Sequence, residues 1–283
     1  MSQGVHLQVF NLKPPGSQSP SNSRLQYSRT GFGPESVWSQ VRFLPGKYAT
    51  QLSLALPNMN NKLLYHIFNP ELLDSLPDEW GIVIHCLNPH SIGFATTLTP
   101  GVIKQAIAKD IDLLVTHHDA WDFMLEERQA CIELLAQHQI SHVWCHAPLD
   151  TADFGTAAAL LTLTGCHLVK TIAQGNGHIG ELPGPLPLSD IRELLDGKLS
   201  ENPCRVHDAN RLVSHIACVT GAGATTKYLA EDLAYGVDLY LTGETSLYLL
   251  EYASFHNVNV LIYSHTDSTI LSRKLSQLST QPD

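Results

Sequence analysis

From about Asn61 onward the chain alternates two kinds of segment, and this alternation constrains the fold more than any single motif. Short apolar, β-branched runs read as buried strands: "GIVIHCL" (Gly81–Leu87), "IDLLVTHH" (Ile111–His118) and "ISHVWCH" (Ile140–His146). Later come "LVSHIACV", "VDLYLTGE" and "VNVLIYSH". Between them lie segments with apolar residues at helical spacing: "TPGVIKQAIAKD", "EERQACIELLAQHQ", "GTAAALLTLTG", "TTKYLAEDLAYG", "SLYLLEYASFHN" and "STILSRKLSQLS". Thr99 is placed to cap the first of these, with Pro100 at its first position, and Gly165 and Gly236 stop two others. Strands alternating with helices predict an α/β fold of mainly parallel sheets flanked by helices.

The pattern falls into two linked lobes. Residues 1–60 read as a divergent N-terminal extension, partly flexible, with a Pro/Ser/Gly-rich connector at "KPPGSQSPSNSRLQ". Within it, "SVWSQVRFLPG" fits a strand or a short helix equally well. Residues 61–165 form the first lobe and 205–283 the second. The Pro/Gly-rich segment 166–204, with a helix opening at Leu188–Ser189, reads as the linker between them.

Composition sets limits on partners. The net charge of −10 argues against a general grip on a nucleic-acid polymer or an anionic membrane. No window approaches the roughly 18 apolar residues of a membrane span. "MSQGVHLQVFNLKPPGSQSP" lacks the basic start and apolar stretch of a secretory signal. Six scattered cysteines with no C-x-x-C pair fit buried thiols of a cytoplasmic protein.

Three polar clusters fall at the C-terminal ends of expected strands: His117–His118, then His146 with Asp150 in "WCHAPLD", then His265 in "LIYSHTDST". That edge is where ligands bind in open α/β sheets, because loops and helix N-termini converge there. Neighbouring residues on a strand point to opposite faces, so two adjacent histidines serve one site only where the strand is ending. Imidazole and carboxylate together are ligands for divalent metals. A glycine turn, "TGAGATT", follows one strand; Gly221 and Gly223 either shape a tight turn or let backbone N–H groups hold an anion. Glu244 in "LTGETS" sits at the same kind of edge, as a general base or a helix-start carboxylate. The G-x-S-x-G elbow, the Walker-type loop and a G-x-G-x-x-G after a strand are all missing from the sequence.

In this order, "DLLVTHH", "WCHAPLDTADFG", "IACVTGAG", "YGVDLYLTGE" and "VNVLIYSH" resemble the NIF-three-like family of dinuclear-metal proteins. Its members are commonly described as GTP cyclohydrolase I type 2 homologues. The resemblance spans roughly Gly81 to Leu278. It implies a two-lobed α/β subunit with the metal site between the lobes, a ring-shaped homohexamer, and one or two divalent ions such as zinc, iron or manganese. The implied metal ligands are His117, His118, Asp150 and His265, with His146 close by. The family's last motif carries a Glu ligand where this chain has Thr269, and a Gly where it has Ser264. A threonine hydroxyl is a poor replacement, so one ion is expected to be weaker, with Asp267, Glu244 and Asp119 as alternative carboxylates.

The expected function is a metal-dependent hydrolase acting on C–N bonds of a small molecule: a purine nucleotide, or a related heterocyclic or amide substrate. Glu244 and His146 are the expected proton-transfer residues, and Gly221 and Gly223 the expected substrate contacts. The alternative is a non-catalytic metal-binding or interaction protein on the same ring scaffold.

Overall fold

The computed structural model describes residues 8–11, 64, 68–87, 89–123, 125–199 and 202–263. The first sheet is built from β1 (Gln8–Asn11), β2 (Trp80–Val83), β3 (Ser91–Thr97), β4 (Leu113–His118) and β5 (Ser141–Cys145), in the order β1-β3-β4-β5-β2. β3, β4 and β5 run parallel, and β1 and β2 close the two edges antiparallel. Its helices are α1 (Pro70–Ser75), α2 (Pro100–Ala108), α3 (Glu127–Gln137) and α4 (Ala147–Thr151).

α2 begins as its sequence requires. The Thr99 hydroxyl accepts from the Val102 N–H at 3.2 Å, and Pro100 has no N–H to leave unpaired. Val102, Ile103 and Ala106 then pack with Leu114, Ile140 and the α3 residues Cys131 and Leu135. The opposite face of the sheet holds Phe68, Leu73, Ile92, Phe94, Leu113, Val143 and Leu149. Each such buried aliphatic or Phe side chain contributes about 1.5–3 kcal/mol. Leu113 and Leu114 entering opposite clusters is the period-two rule at work, and it bears on the histidines that end the same strand.

The second sheet contains β6 (His167–Ile172), β7 (Gly177–Leu186), β8 (Arg205–His207), β9 (Val213–Val219), β10 (Leu239–Thr242) and β11 (Asn259–Ile262), ordered β6-β7-β9-β10-β11-β8. Here too a parallel trio, β9, β10 and β11, has antiparallel neighbours. On one face lie α5 (Thr156–Leu163) and α6 (Leu188–Leu199), whose Leu160, Leu161, Ile191 and Leu195 pack with Ile216, Leu239 and Leu261. On the other lie α7 (Thr226–Leu233) and α8 (Leu247–Phe255), whose Leu229, Leu249 and Ala253 pack with Ala217, Tyr240 and Val260.

Two α/β lobes are therefore present, with four differences of detail. The segment 166–204, expected as a linker, carries the β6–β7 hairpin and joins the second sheet. Its prolines carry the sequence signal of a connector, but they only interrupt the strand: pairing with β9 breaks between Glu181 and Leu186, where Pro183 and Pro185 have no N–H to donate. α5, expected to close the first lobe, packs on the second sheet instead. β3 was not anticipated, because Ser91, Gly93, Thr96 and Thr97 dilute its apolar signal. "GIVIHCL", read as a buried strand, is the antiparallel edge β2, with Val83 38% exposed. "SVWSQVRFLPG" and "STILSRKLSQLS" lie outside the described residues.

Candidate metal centre

β4 stops pairing with β5 at Thr116, opposite Trp144, but continues along β3 until His118 meets Thr97. His117 and His118 thus stand past the end of one neighbouring strand, where the backbone is free to turn. Their rings approach to 4.5 Å between centroids, edge to face at 65°. The Thr116 hydroxyl donates to the His118 carbonyl at 2.7 Å, and the Leu98 N–H donates to the same oxygen at 3.1 Å. Having given up its only hydrogen, the Thr116 hydroxyl accepts from His142 Nε2 at 2.8 Å, which places the His142 proton on Nε2. Burial pushes the His142 pKa down to about 3, so this ring is a neutral brace behind the site. It stacks on Trp144 with centroids 5.4 Å apart and planes at 17°.

His146 ends the run of β5 and opens α4. The N–H groups of Leu149 and Asp150 both donate to its carbonyl, at 2.9 and 3.1 Å, so the H-x-x-x-D spacing sets Asp150 one helical turn above it. The His146 ring lies 5.0 Å from those of His117 and His118. One nitrogen from each of the three imidazoles falls within 4.8 Å of the others, a group able to hold a metal ion. His118 Nδ1 is 3.0 Å from the Thr97 hydroxyl. The ring of Trp121, itself stacked on Phe123 at 17°, lies 5.4 Å from that of His118, and both aromatic residues are exposed.

Asp150 supplies the carboxylate. Its Oδ2 is 3.4 Å from His117 Nε2 and 3.9 Å from His146 Nε2. Its Oδ1 accepts from the Thr156 hydroxyl at 2.5 Å and the Thr220 hydroxyl at 3.4 Å. Burial by itself would push the Asp150 carboxyl up. The His117 imidazole, the Thr156 hydroxyl and His146 outweigh it and hold the group below the usual carboxylate range. Thr156 opens α5 and Thr220 follows β9, so hydroxyls from the second lobe fix a carboxylate that faces histidines of the first.

Of the expected residues, the structure brings together His117, His118, His146 and Asp150. Thr220 ties the adjoining glycine turn to Asp150. Gly221 has a φ of +65°, and a Cβ on Gly223 would lie 2.3 Å from the Thr242 hydroxyl and 2.9 Å from the Val219 carbonyl. Both glycines are thus required by the turn itself. Glu244 is exposed in the loop after β10, beyond Gly243, which packs on Gly221. Asp119 pairs with Arg128 at 3.2 Å, outside the histidine group. His265, Asp267 and Thr269 lie outside the described residues.

One contact had no sequence signal. Glu79 Oε2 is 2.5 Å from His146 Nδ1, and the Glu79 carbonyl accepts from the His146 N–H at 2.8 Å. The pairing of Trp80 with Cys145 across β2 and β5 creates this neighbour from 67 residues away.

All six cysteines are among the described residues and are thiols, with Cys131, Cys145, Cys166 and Cys218 buried. Among the described residues no helix is long and apolar enough to cross a membrane.

Known proteins resemble this chain in sequence and in fold. A GTP cyclohydrolase 1 type 2 homolog of Pseudomonas aeruginosa is 25% identical over 179 residues, 60% of this chain and 70% of the relative. A protein of the same name from Halobacterium salinarum is 29% identical over 186 residues, 62% of this chain and 73% of that one. Among solved structures, reduced HcgD from Methanocaldococcus jannaschii superposes with a TM-score of 0.63 at 22% identity, covering 78% of this chain and 92% of its own. A Bacillus cereus protein related to NIF3 superposes at 0.60 with 14% identity, over 77% and 90% of the two chains. At these identities the superpositions speak for the fold. The model of the Duf34/NIF3 (NGG1p interacting factor 3) family matches residues 61–281, which hold the histidine cluster and every described strand except β1, and the chain belongs to that family.

Proposed function

We propose that the protein is a metal-dependent hydrolase acting on a C–N bond of a purine nucleotide or a related heterocyclic or amide substrate. The observation that carries this reading is the donor set: His117, His118 and His146 within 4.8 Å of one another, beside the buried carboxylate of Asp150. Three imidazoles and one carboxylate suit zinc, iron or manganese, and burying a carboxylate is costly unless a cation or strong hydrogen bonds offset it. His117, His118, His146 and Asp150 would hold one ion; His265 is the residue the sequence offers for a second. When bound, such an ion supplies Lewis acidity and lowers the pKa of water towards about 7.

The chain's own residues supply the rest. Thr156 and Thr220 hold Asp150 Oδ1 and leave Oδ2 directed at the histidines. Trp121 and Phe123 offer a flat apolar surface beside His118 for a planar ring. The Gly221–Gly223 turn, joined to Asp150 through Thr220, is the candidate phosphate contact, and Glu244 the candidate proton carrier. The names of the relatives support a GTP-like substrate. Six thiols favour a reducing compartment, the cytoplasm, and the assembly we propose is a homohexamer.

The test is elemental analysis of protein purified without added metal, together with turnover of a nucleotide panel headed by GTP. The reading expects at least one ion per subunit and a rate that His118→Ala abolishes without loss of fold or assembly. An unchanged rate in His118→Ala refutes the metal mechanism. A loaded, folded protein inert on the whole panel leaves the non-catalytic metal-binding alternative.

A further inference from the structure

We infer that Glu79 is a positioning residue that makes His146 a metal ligand, by fixing the proton on Nδ1 and leaving the Nε2 lone pair directed at the cluster. The inference rests on the metal-centre reading above and extends it to a residue outside the ligand set.

Three observations carry it. Glu79 Oε2 lies 2.5 Å from His146 Nδ1, a distance at which the imidazole donates and the carboxylate accepts. A second bond fixes the geometry, because the His146 N–H donates to the Glu79 carbonyl at 2.8 Å. Side chain and backbone of the two residues are therefore joined by two bonds. Finally, the opposite nitrogen faces the acceptor side of the site, with His146 Nε2 3.9 Å from Asp150 Oδ2 and the ring 5.0 Å from both His117 and His118. A neutral imidazole carries one proton, and Glu79 is the stronger acceptor within reach of Nδ1. The other nitrogen is then a lone-pair donor.

A carboxylate behind a ligating histidine is the usual means of setting its tautomer and raising its basicity, and losing one typically weakens metal binding 10–100-fold. The same arrangement explains the antiparallel edge strand β2. Its Trp80 and Ile82 pack against the core of the first sheet, and its register puts Glu79 opposite His146. Glu79 also brings a carboxylate next to the cluster in a chain whose position 269 is Thr.

The test begins with metal-free protein, in which the two-bond nitrogen–proton NMR spectrum reports the His146 tautomer at about pH 8 without reference to activity. The parent is expected to show the Nδ1–H form, and Glu79→Ala to move towards Nε2–H. Zinc affinity, measured by competition with a chelating dye, is expected to fall about 10–100-fold in Glu79→Ala. Glu79→Gln, which keeps an acceptor for Nδ1–H, is expected to recover the tautomer and most of the affinity. The Glu79 side chain is 39% exposed, and circular dichroism checks that the variants keep the fold. An Nε2–H tautomer in the metal-free parent overturns the inference without any variant. So does parental zinc affinity in Glu79→Ala or in His146→Ala. Failure of the hydrolase reading looks different: zinc is bound and depends on Glu79, but no substrate turns over.

Discussion

The neutral brace behind the paired histidines makes acid stability a direct test of how the site is built. His142 has 1% of its surface exposed and a pKa pushed by burial from 6.5 to about 3. In the unfolded chain the same ring takes a proton below 6.5, so below that pH the unfolded state binds more protons and stability falls as pH falls. Each unit of difference corresponds to about 1.4 kcal/mol. Between pH 7 and pH 5 this group alone should remove about 2 kcal/mol, and roughly 4 kcal/mol by pH 3. The assay is urea unfolding at pH 7, 6 and 5 with a chelator present, comparing the parent with His142→Gln. The glutamine side-chain amide can still donate to the Thr116 hydroxyl but does not titrate. The variant is expected to start less stable and to converge on the parent by about 2 kcal/mol as the pH falls to 5. Other depressed groups, such as His178, are common to both proteins and cancel in the difference. Parallel pH profiles would falsify the account of His142 as a buried neutral ring.

Other predictions follow from single contacts. Thr156→Val keeps the shape of the side chain but removes the 2.5 Å hydrogen bond to the buried Asp150 carboxylate; unfolding measurements should show a loss of about 1–3 kcal/mol. In Gly81→Ala the new methyl carbon would sit 2.0 Å from Trp144 Cη2, so the indole must leave its stack on His142. That overpacking should cost about 1–3 kcal/mol, read as a lowered Tm with altered tryptophan fluorescence. Chelation should lower the Tm of metal-loaded parent, by linkage of about 2.7 kcal/mol for a site loaded at 100 times its Kd, and leave His118→Ala unchanged. Equal chelator shifts in the two proteins would place the bound metal elsewhere.

The proposed ion sits where local chemistry and long-range contacts meet. His117 and His118 end β4 and His146 follows the parallel strand β5 of the same sheet, whereas the hydroxyls that aim Asp150 come from α5 and the residue after β9. α5 is committed to the second sheet by Leu160 and Leu161, so shifting that helix displaces Thr156 and with it the carboxylate. Core packing in the second lobe and donor geometry in the first are thereby linked through one short chain of hydrogen bonds.

What the sequence determined by itself is what neighbouring residues decide among themselves. Thr99 and Pro100 start α2, and Gly165, with a φ of +86°, ends the run after α5. Short continuous apolar runs give β4 and β5 of the first sheet and the parallel trio β9, β10 and β11 of the second. The four-residue step from His146 to Asp150 sets those two on one helical turn, and two adjacent histidines at a strand end mark the candidate site. Tertiary structure alone decided the rest. The prolines of β7 read as a connector until β6 and β9 supply pairing partners around them. The apolar face of α5 reads the same whichever sheet it covers. Glu79 reads as an ordinary surface carboxylate until β2 lies antiparallel to β5, 67 residues away in sequence from the histidine it meets. Local propensity and periodicity fix φ, ψ and face, but which strand lies beside which depends on burial and hydrogen bonding summed over the whole chain, and no local window contains that sum.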